Sequence, residues 1–281
     1  MKFYLSGLGN LAENTENIVS SIIEADRLGF DGALMPDHYM WGTENQGNMK
    51  NPYNTLETWT TLTYLAGKTK NISLGTLVTP IAFRHPGMLA KMLSTLDNLS
   101  EGRVILGVGA GWSQVEFKGY SDWLETGNRV SKTIEALEVI LKLWTEPMVT
   151  HIGRYYKLEG AVLEPKPFQK PYPRLLFGSQ GKRMLNLTGR YGDICFVPPW
   201  QALKTGEVMD AVKKTAEKAR RLKSIQFMLG DMGSGAYDPV SYSKRIEAAI
   251  SRGASIYAVS FPRGDLRSLE KFANDVMPNY H

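Results

Sequence analysis

The sequence predicts an α/β chain folded as a single (β/α)₈ barrel of the TIM type. Three observations carry that expectation. Short apolar runs alternate with helix-spaced patterns from one end of the chain to the other. Several of the runs are apolar on both faces, as buried parallel strands are. The alternation also keeps one rhythm throughout, which favours a closed barrel over an open doubly wound sheet, the alternative architecture.

Eight strand candidates follow in order: KFYLSG (2–7), GALMP (32–36), ISLGTLV (72–78), RVILGVGAG (103–111), RLLFGS (174–179), DICFVP (193–198), IQFMLG (225–230) and IYAVSFP (256–262). Helical patterns lie between them. In residues 131–147 the apolar positions Ile134, Leu137, Leu141 and Trp144 recur at helical spacing, and Pro147 stands where a helix stops. In residues 85–102 the stripe is Leu89, Met92, Leu93, Leu96 and Leu99, closed by Gly102. One segment breaks the rhythm. Residues 149–173, rich in aromatic side chains and proline, read as an excursion between the fourth helix and the fifth strand. Repeats, low-complexity tracts and linkers are absent from the sequence, so residues 1–281 are read as one domain.

Composition narrows the function classes. The 281 residues are 43% hydrophobic and 22% charged, as in a soluble globular protein. The N-terminal Met1-Lys2-Phe3-Tyr4 lacks the features of a signal peptide, and no apolar run reaches membrane-spanning length. The single cysteine, Cys195, allows no internal disulfide and fits a reducing cytoplasm. The charge of +5 (pI about 9.1) is dispersed. Its densest run, KKTAEKARRLK (213–223), carries no interleaved aromatics and reads as a solvated helix face, not a nucleic-acid patch.

In a (β/α)₈ barrel, chemistry sits at the C-terminal strand ends. The second strand ends in Asp37-His38, with Tyr39 and Trp41 just beyond. Adjacent strand residues point to opposite faces, so only one of Asp37 and His38 need face the barrel mouth. His38 is read either as a proton acceptor or as a satisfied structural imidazole. The third strand end offers the hydroxyls of Thr76 and Thr79, with Arg84 and His85 beyond, or ordinary loop chemistry ahead of Pro86. The fourth ends in glycines 107, 109 and 111. They either clear space for a flat ligand or permit tight packing. Trp112 stands where a G-x-G-x-x-G motif needs its last glycine, so that nucleotide motif is absent. The fifth ends in Gly178-Ser179-Gln180-Gly181 ahead of a helix, a candidate anion site without P-loop spacing. The four histidines (38, 85, 151, 281) lack metal-ligand spacing, and no G-x-S-x-G elbow is present. Cys195 lies in an apolar strand and reads as core.

LGTLVTPIAFRHPGMLAKMLSTLDNLSEGRVILGVGAGW (74–112) resembles the signature region of the bacterial luciferase-like oxidoreductase superfamily. GNRVSKTIEALEVILKLWTEP, GRYYKLEGAVLEPKP, FGSQGKRMLNLTGRYGD and IYAVSFPRGDLRSLEKFANDVMP extend the resemblance over nearly the whole chain. The superfamily has one branch using reduced FMN and oxygen, and another transferring hydride with the deazaflavin coenzyme F420. Asp37-His38 with Trp41 resembles the F420-dependent branch. That resemblance implies His38 as base, Trp41 beside the reacting carbon and Asp37 in the same pocket. It implies a cofactor seat formed by Asp37, Thr76, Leu77, Val78, Gly109, Ala110, Gly111, Trp112, Gly178, Ser179, Gln180 and Gly181. It implies a non-prolyl cis peptide at Leu77–Val78, a small-molecule substrate and a homodimer. One departure stands out. Dehydrogenases of that branch carry Glu directly after the glycine-rich strand end, where this chain has Trp112, and Glu116 is the nearest carboxylate downstream. Sugar-phosphate oxidation is therefore not implied. An FMN-dependent monooxygenase and a flavin-binding barrel without turnover are the alternative functions.

Overall fold

The computed structural model describes residues 1–8, 14–40, 55–178, 180–199, 204–231, 237–261 and 265–280. The strands are β1 (Lys2–Leu5), β2 (Gly32–Met35), β3 (Ser73–Thr76), β4 (Thr79–Pro80), β5 (Val104–Gly109), β6 (Val149–Ile152), β7 (Lys157–Ala161), β8 (Arg174–Phe177), β9 (Ile194–Phe196), β10 (Gln226–Gly230) and β11 (Ile256–Val259). The helices are α1 (Thr15–Arg27), α2 (Thr58–Ala66), α3 (Pro86–Leu99), α4 (Gln114–Tyr120), α5 (Thr126–Thr145), α6 (Lys182–Tyr191), α7 (Thr205–Lys218), α8 (Pro239–Ser251) and α9 (Leu266–Asp275).

Eight parallel strands close into a barrel in the order β1-β2-β3-β5-β8-β9-β10-β11. Closure is explicit: β1 pairs with β2 on one side and β11 on the other, and β3 pairs with β5. The open-sheet alternative is excluded. Each predicted strand is present, and β4 resumes the third one after a break at residues 77 and 78, pairing with the end of β5.

The two-sided apolar pattern of the strands has a direct cause. Successive side chains point to opposite faces. Tyr4, Leu34, Ile105, Leu176, Met228 and Ile256 belong to a small cluster inside the barrel. Their chain neighbours, among them Phe3, Leu5, Ala33, Met35, Val104 and Leu106, join the larger layer between strands and helices. Both faces of each strand are therefore dry.

Close approach of β3 and β5 depends on glycine. A Cβ on Gly107 would lie 1.9 Å from the Thr76 carbonyl oxygen, and one on Gly75 would lie 2.4 Å from that of Ile105. Tight packing is thus the explanation for Gly107.

The excursion at 149–173 begins as an antiparallel hairpin, β6 with β7. Glu135 of α5 holds its turn by accepting hydrogen bonds from the backbone N–H groups of Arg154, Tyr155 and Tyr156 at 2.8–3.2 Å. The rest of the segment contains cis prolyl bonds at Glu164–Pro165 and Lys170–Pro171. Among the described residues, no helix is long and apolar enough to cross a membrane.

Gly107→Ala is expected to lower stability by about 3 kcal/mol, the upper range for overpacking, because the obstacle is backbone. Gly127→Ala, where a Cβ meets nothing within 4 Å, is expected to stay within about 0.5 kcal/mol of wild type. Urea midpoints of the two variants measure the contrast.

Candidate active site

The alternation along β2 continues past its end and separates two adjacent residues. Leu34 points into the barrel, and Pro36 and His38 line a cavity at the barrel mouth. Met35 points to the helix layer, and Asp37 follows it outward, fully buried. The strand thus delivers the imidazole and withholds the carboxylate.

Asp37 forms a two-pronged ion pair with Arg84, at 2.7 and 2.9 Å. Arg84 also donates to Glu57, the N-cap residue of α2, and its guanidinium lies 5.1 Å from the Tyr39 ring centroid. Burial disfavours charge on Arg84, but Asp37, Tyr39 and Glu57 more than offset it and hold the guanidinium above its usual pKa. Asp37 was expected in the cofactor pocket. It instead anchors the loop that carries His38, because its single charge is already matched behind the barrel wall.

His38 is 8% exposed. Its Nδ1 lies 2.6 Å from Glu116 Oε2. The other carboxylate oxygen of Glu116 accepts from the backbone N–H groups of Tyr39 and Met40, at 2.7 and 2.9 Å. One fully buried carboxylate therefore grips three consecutive residues. Burial pushes the Glu116 pKa up, but the His38 bond and charge and the two backbone bonds outweigh it, leaving the carboxyl below its usual range. With Nδ1 turned to Glu116, the carboxylate favours the tautomer that carries its proton on Nδ1 and donates it to Glu116.

Glu116 is the functional candidate that sequence reasoning did not place. It lies one turn into α4, whose N-cap Ser113 accepts from the Glu116 N–H. Ser113-x-x-Glu116 has the pattern of an ordinary capping box, which gives no reason to look across the barrel mouth. Gly111, at φ +75°, makes the turn that starts this segment, and a Cβ there would lie 2.3 Å from Phe117.

The cavity has a volume of about 680 Å³, within the range of small-molecule sites. His38, Leu77, Val78, Gly109, Ala110, Gly111, Trp112, Gly178, Gln180 and Gly181 line it, together with Glu116. The Leu77–Val78 peptide is cis, as the resemblance implies. Gly109 serves packing as well as space, since its Cβ would lie 2.5 Å from Val78 Cγ2. Thr76, expected in the cofactor seat, lies behind the wall: its hydroxyl is 3.0 Å from that of Thr79 and accepts from the Gly107 N–H. His85 is exposed and accepts from the Gly87 N–H as the N-cap of α3. Burial raises the Cys195 thiol to about 12, consistent with a core residue. The candidates Trp41 and Ser179 lie outside the described residues.

Residues 4–265 match the luciferase-like monooxygenase family. The chain belongs to that family. It is 31% identical over 210 residues to an F420-dependent glucose-6-phosphate dehydrogenase of Amycolatopsis mediterranei, covering 73% of this chain and 60% of the relative. With the enzyme of the same name from Beutenbergia cavernae it shares 31% identity over 242 residues, 85% of this chain and 69% of the relative. The chain thus spans about 60% of the length of the first of these relatives. Among solved structures, an F420-dependent secondary alcohol dehydrogenase in complex with an F420-acetone adduct superposes with TM-score 0.82 at 19% identity, over 100% of this chain and 99% of the other. The F420-dependent tetrahydromethanopterin reductase of Methanopyrus kandleri gives TM-score 0.80 at 19% identity, with the same coverage. At such identities the structural likeness shows a shared barrel. At the end of β5 this chain presents Trp112, and the buried carboxylate Glu116 lies in the first turn of α4.

A carboxyl with a lowered folded-state pKa stabilises the fold above its unfolded value and loses that contribution as pH falls through the folded value. For Glu116, whose usual value is 4.5, the stability gained from ionisation is present above that pH and disappears below it. Glu116→Gln is expected to have a flatter decline of stability with acidification below about pH 4.5 than wild type, seen in urea midpoints across the acid range.

Proposed function

We propose that the chain is an F420-dependent oxidoreductase that transfers hydride between the deazaflavin and a small organic substrate. The observation that carries this reading is the His38–Glu116 pair at 2.6 Å in the wall of the cavity. The names of the curated relatives and of two structural neighbours support the cofactor.

The residues present fit such a group. Leu77, Val78, Phe196 and Pro198 give one part of the cavity an apolar lining suited to a flat ring. A Cβ on Gly181 would meet nothing within 4 Å, and one on Gly178 would meet only lining side chains at 3.4–3.7 Å, so both glycines leave room. Gly181 is the N-cap of α6 and makes no side-chain cap bond. The first-turn N–H groups of that helix are the proposed phosphate seat, together with Gly178, Ser179 and Gln180. When bound, the deazaflavin supplies a ring carbon that accepts or returns hydride.

His38 Nε2 takes the proton of the substrate hydroxyl in the oxidative direction and gives it back in reduction. Glu116 fixes the ring and balances the charge it acquires. Asp37 is a positioning residue through Arg84 and Tyr39. Trp41 is proposed as an aromatic wall, and Gly109, Ala110, Gly111 and Trp112, which line the cavity, as part of the cofactor seat. A cytoplasmic homodimer completes the reading, with the exposed Met88, Met92 and Leu99 on α3 as one apolar face available for contact. An FMN-dependent monooxygenase is the second reading, favoured by the family's description.

Under strict anaerobiosis His38→Ala is expected to lose roughly 10²–10⁴-fold in turnover while keeping its affinity for F420. Near-wild-type turnover removes His38 from the mechanism, and an absolute need for oxygen in the wild type removes hydride transfer to F420. Gly178→Val is expected to weaken F420 binding without changing the thermal midpoint; unchanged affinity counts against the phosphate seat.

A further inference from the structure

The end of the barrel opposite the mouth carries a second cavity, of about 400 Å³. Three stretches of chain line it. Residues 169–174 lead out of the excursion into β8, Asp193 stands just before β9, and residues 221–226 lead into β10. All three are N-terminal strand ends, and none of the lining residues is shared with the cavity that holds His38. In a (β/α)₈ barrel this face is remote from the chemistry, so a site here is separate from hydride transfer.

Three cations, Lys170, Arg174 and Arg221, and one acid, Asp193, line this cavity among the described residues. The acid is already used. One Asp193 oxygen accepts from Arg221 Nη2 at 2.8 Å, and the other accepts from the Leu175 N–H at 2.9 Å. The remaining bonds of Arg221 also run from Nη2, to the Tyr191 and Gly192 carbonyls, so Nη1 makes none among the described residues. Lys170 and Arg174 have neutral partners. Lys170 Nζ donates to the Pro167 carbonyl at 2.7 Å, and Arg174 donates to the Tyr4 hydroxyl at 3.3 Å and to Gln226 Oε1 at 2.5 Å. Like charges gathered around one cavity repel, and an anion seated between them removes that repulsion. Guanidinium groups present forked donors that match pairs of phosphate oxygens. Tyr172 adds a ring to the same wall, stacked on Trp144 with centroids 6.2 Å apart.

We propose that this cavity is a binding site for a small phosphate monoester. Lys170, Arg174 and Arg221 take the phosphate oxygens, and the Tyr172 ring supports the organic group. A ligand seated there ties the excursion to the starts of β8, β9 and β10, and it stabilises the folded chain by mass action. The site needs no cofactor, so the claim does not rest on the F420 reading.

The test titrates the full chain, without F420, with phenyl phosphate, inorganic phosphate and, at matched ionic strength, sodium chloride. Calorimetry and the thermal midpoint are the readouts. Saturable binding of phenyl phosphate, tighter than that of inorganic phosphate and accompanied by a rising thermal midpoint, is expected, with no such rise in chloride. Lys170→Ala and Arg174→Gln are each expected to weaken phenyl phosphate binding roughly 10-fold or more, the range for a bond to a charged group. Lys244→Ala, which removes an exposed charge on α8 outside the cavity, is expected to leave it unchanged. Lys170 is itself exposed, so its variant decides the matter if Arg174→Gln fails to fold. Absence of saturable binding overturns the claim. So does binding that Lys170→Ala leaves unchanged, which places the anion elsewhere, or that Lys244→Ala weakens equally. Inorganic phosphate binding as tightly as phenyl phosphate overturns the monoester.

Discussion

The site is organised by one buried carboxylate. Glu116 has no exposed surface and must be paired where it lies. All three of its partners belong to residues 38–40, immediately after β2. That requirement ties α4, which follows β5, to a loop two barrel positions away. It orients the His38 imidazole, sets which ring nitrogen carries the proton and closes one side of the cavity. The Gly111 turn and the Ser113 cap start α4 at the place where its third residue, Glu116, reaches across the barrel mouth.

A second charged system supports the same loop from behind. Asp37 is pinned to Arg84, and Arg84 to Glu57 at the start of α2. The Thr58 hydroxyl adds a bond to the Pro36 carbonyl at 2.8 Å. Buried ion pairs of this kind contribute little net stability relative to apolar packing, but removing one partner is costly. Their effect here is on conformation: residues 36–40 are held from both sides, and the imidazole is left with little freedom. Strand alternation sorts the two systems, sending Asp37 toward the helix layer and His38 toward the mouth.

Much of this was legible in the sequence because it follows from period and position. The two-sided apolar runs mark eight barrel strands, and the aromatic- and proline-rich stretch at 149–173 marks the hairpin excursion. The constraint that Asp37 and His38 face opposite ways is also a sequence property, but the sequence does not say which faces in. The register of β2 against β1 and β3 settles that, through contacts distant in the chain. Glu116 was hidden for a related reason. Its local pattern is a helix cap, and its partner is 78 residues away. The resemblance puts Thr76 in the seat, yet the pinch between β3 and β5 draws its hydroxyl toward Gly107.

Members of the luciferase-like family share a barrel across different chemistries, so the cofactor decides what the His38–Glu116 pair does. The most direct measurement is an anaerobic fluorescence titration of the purified protein with oxidised F420 and, separately, with FMN. Saturable binding of F420, tighter than that of FMN, is the predicted result. Tight binding of FMN with none of F420 would contradict the account.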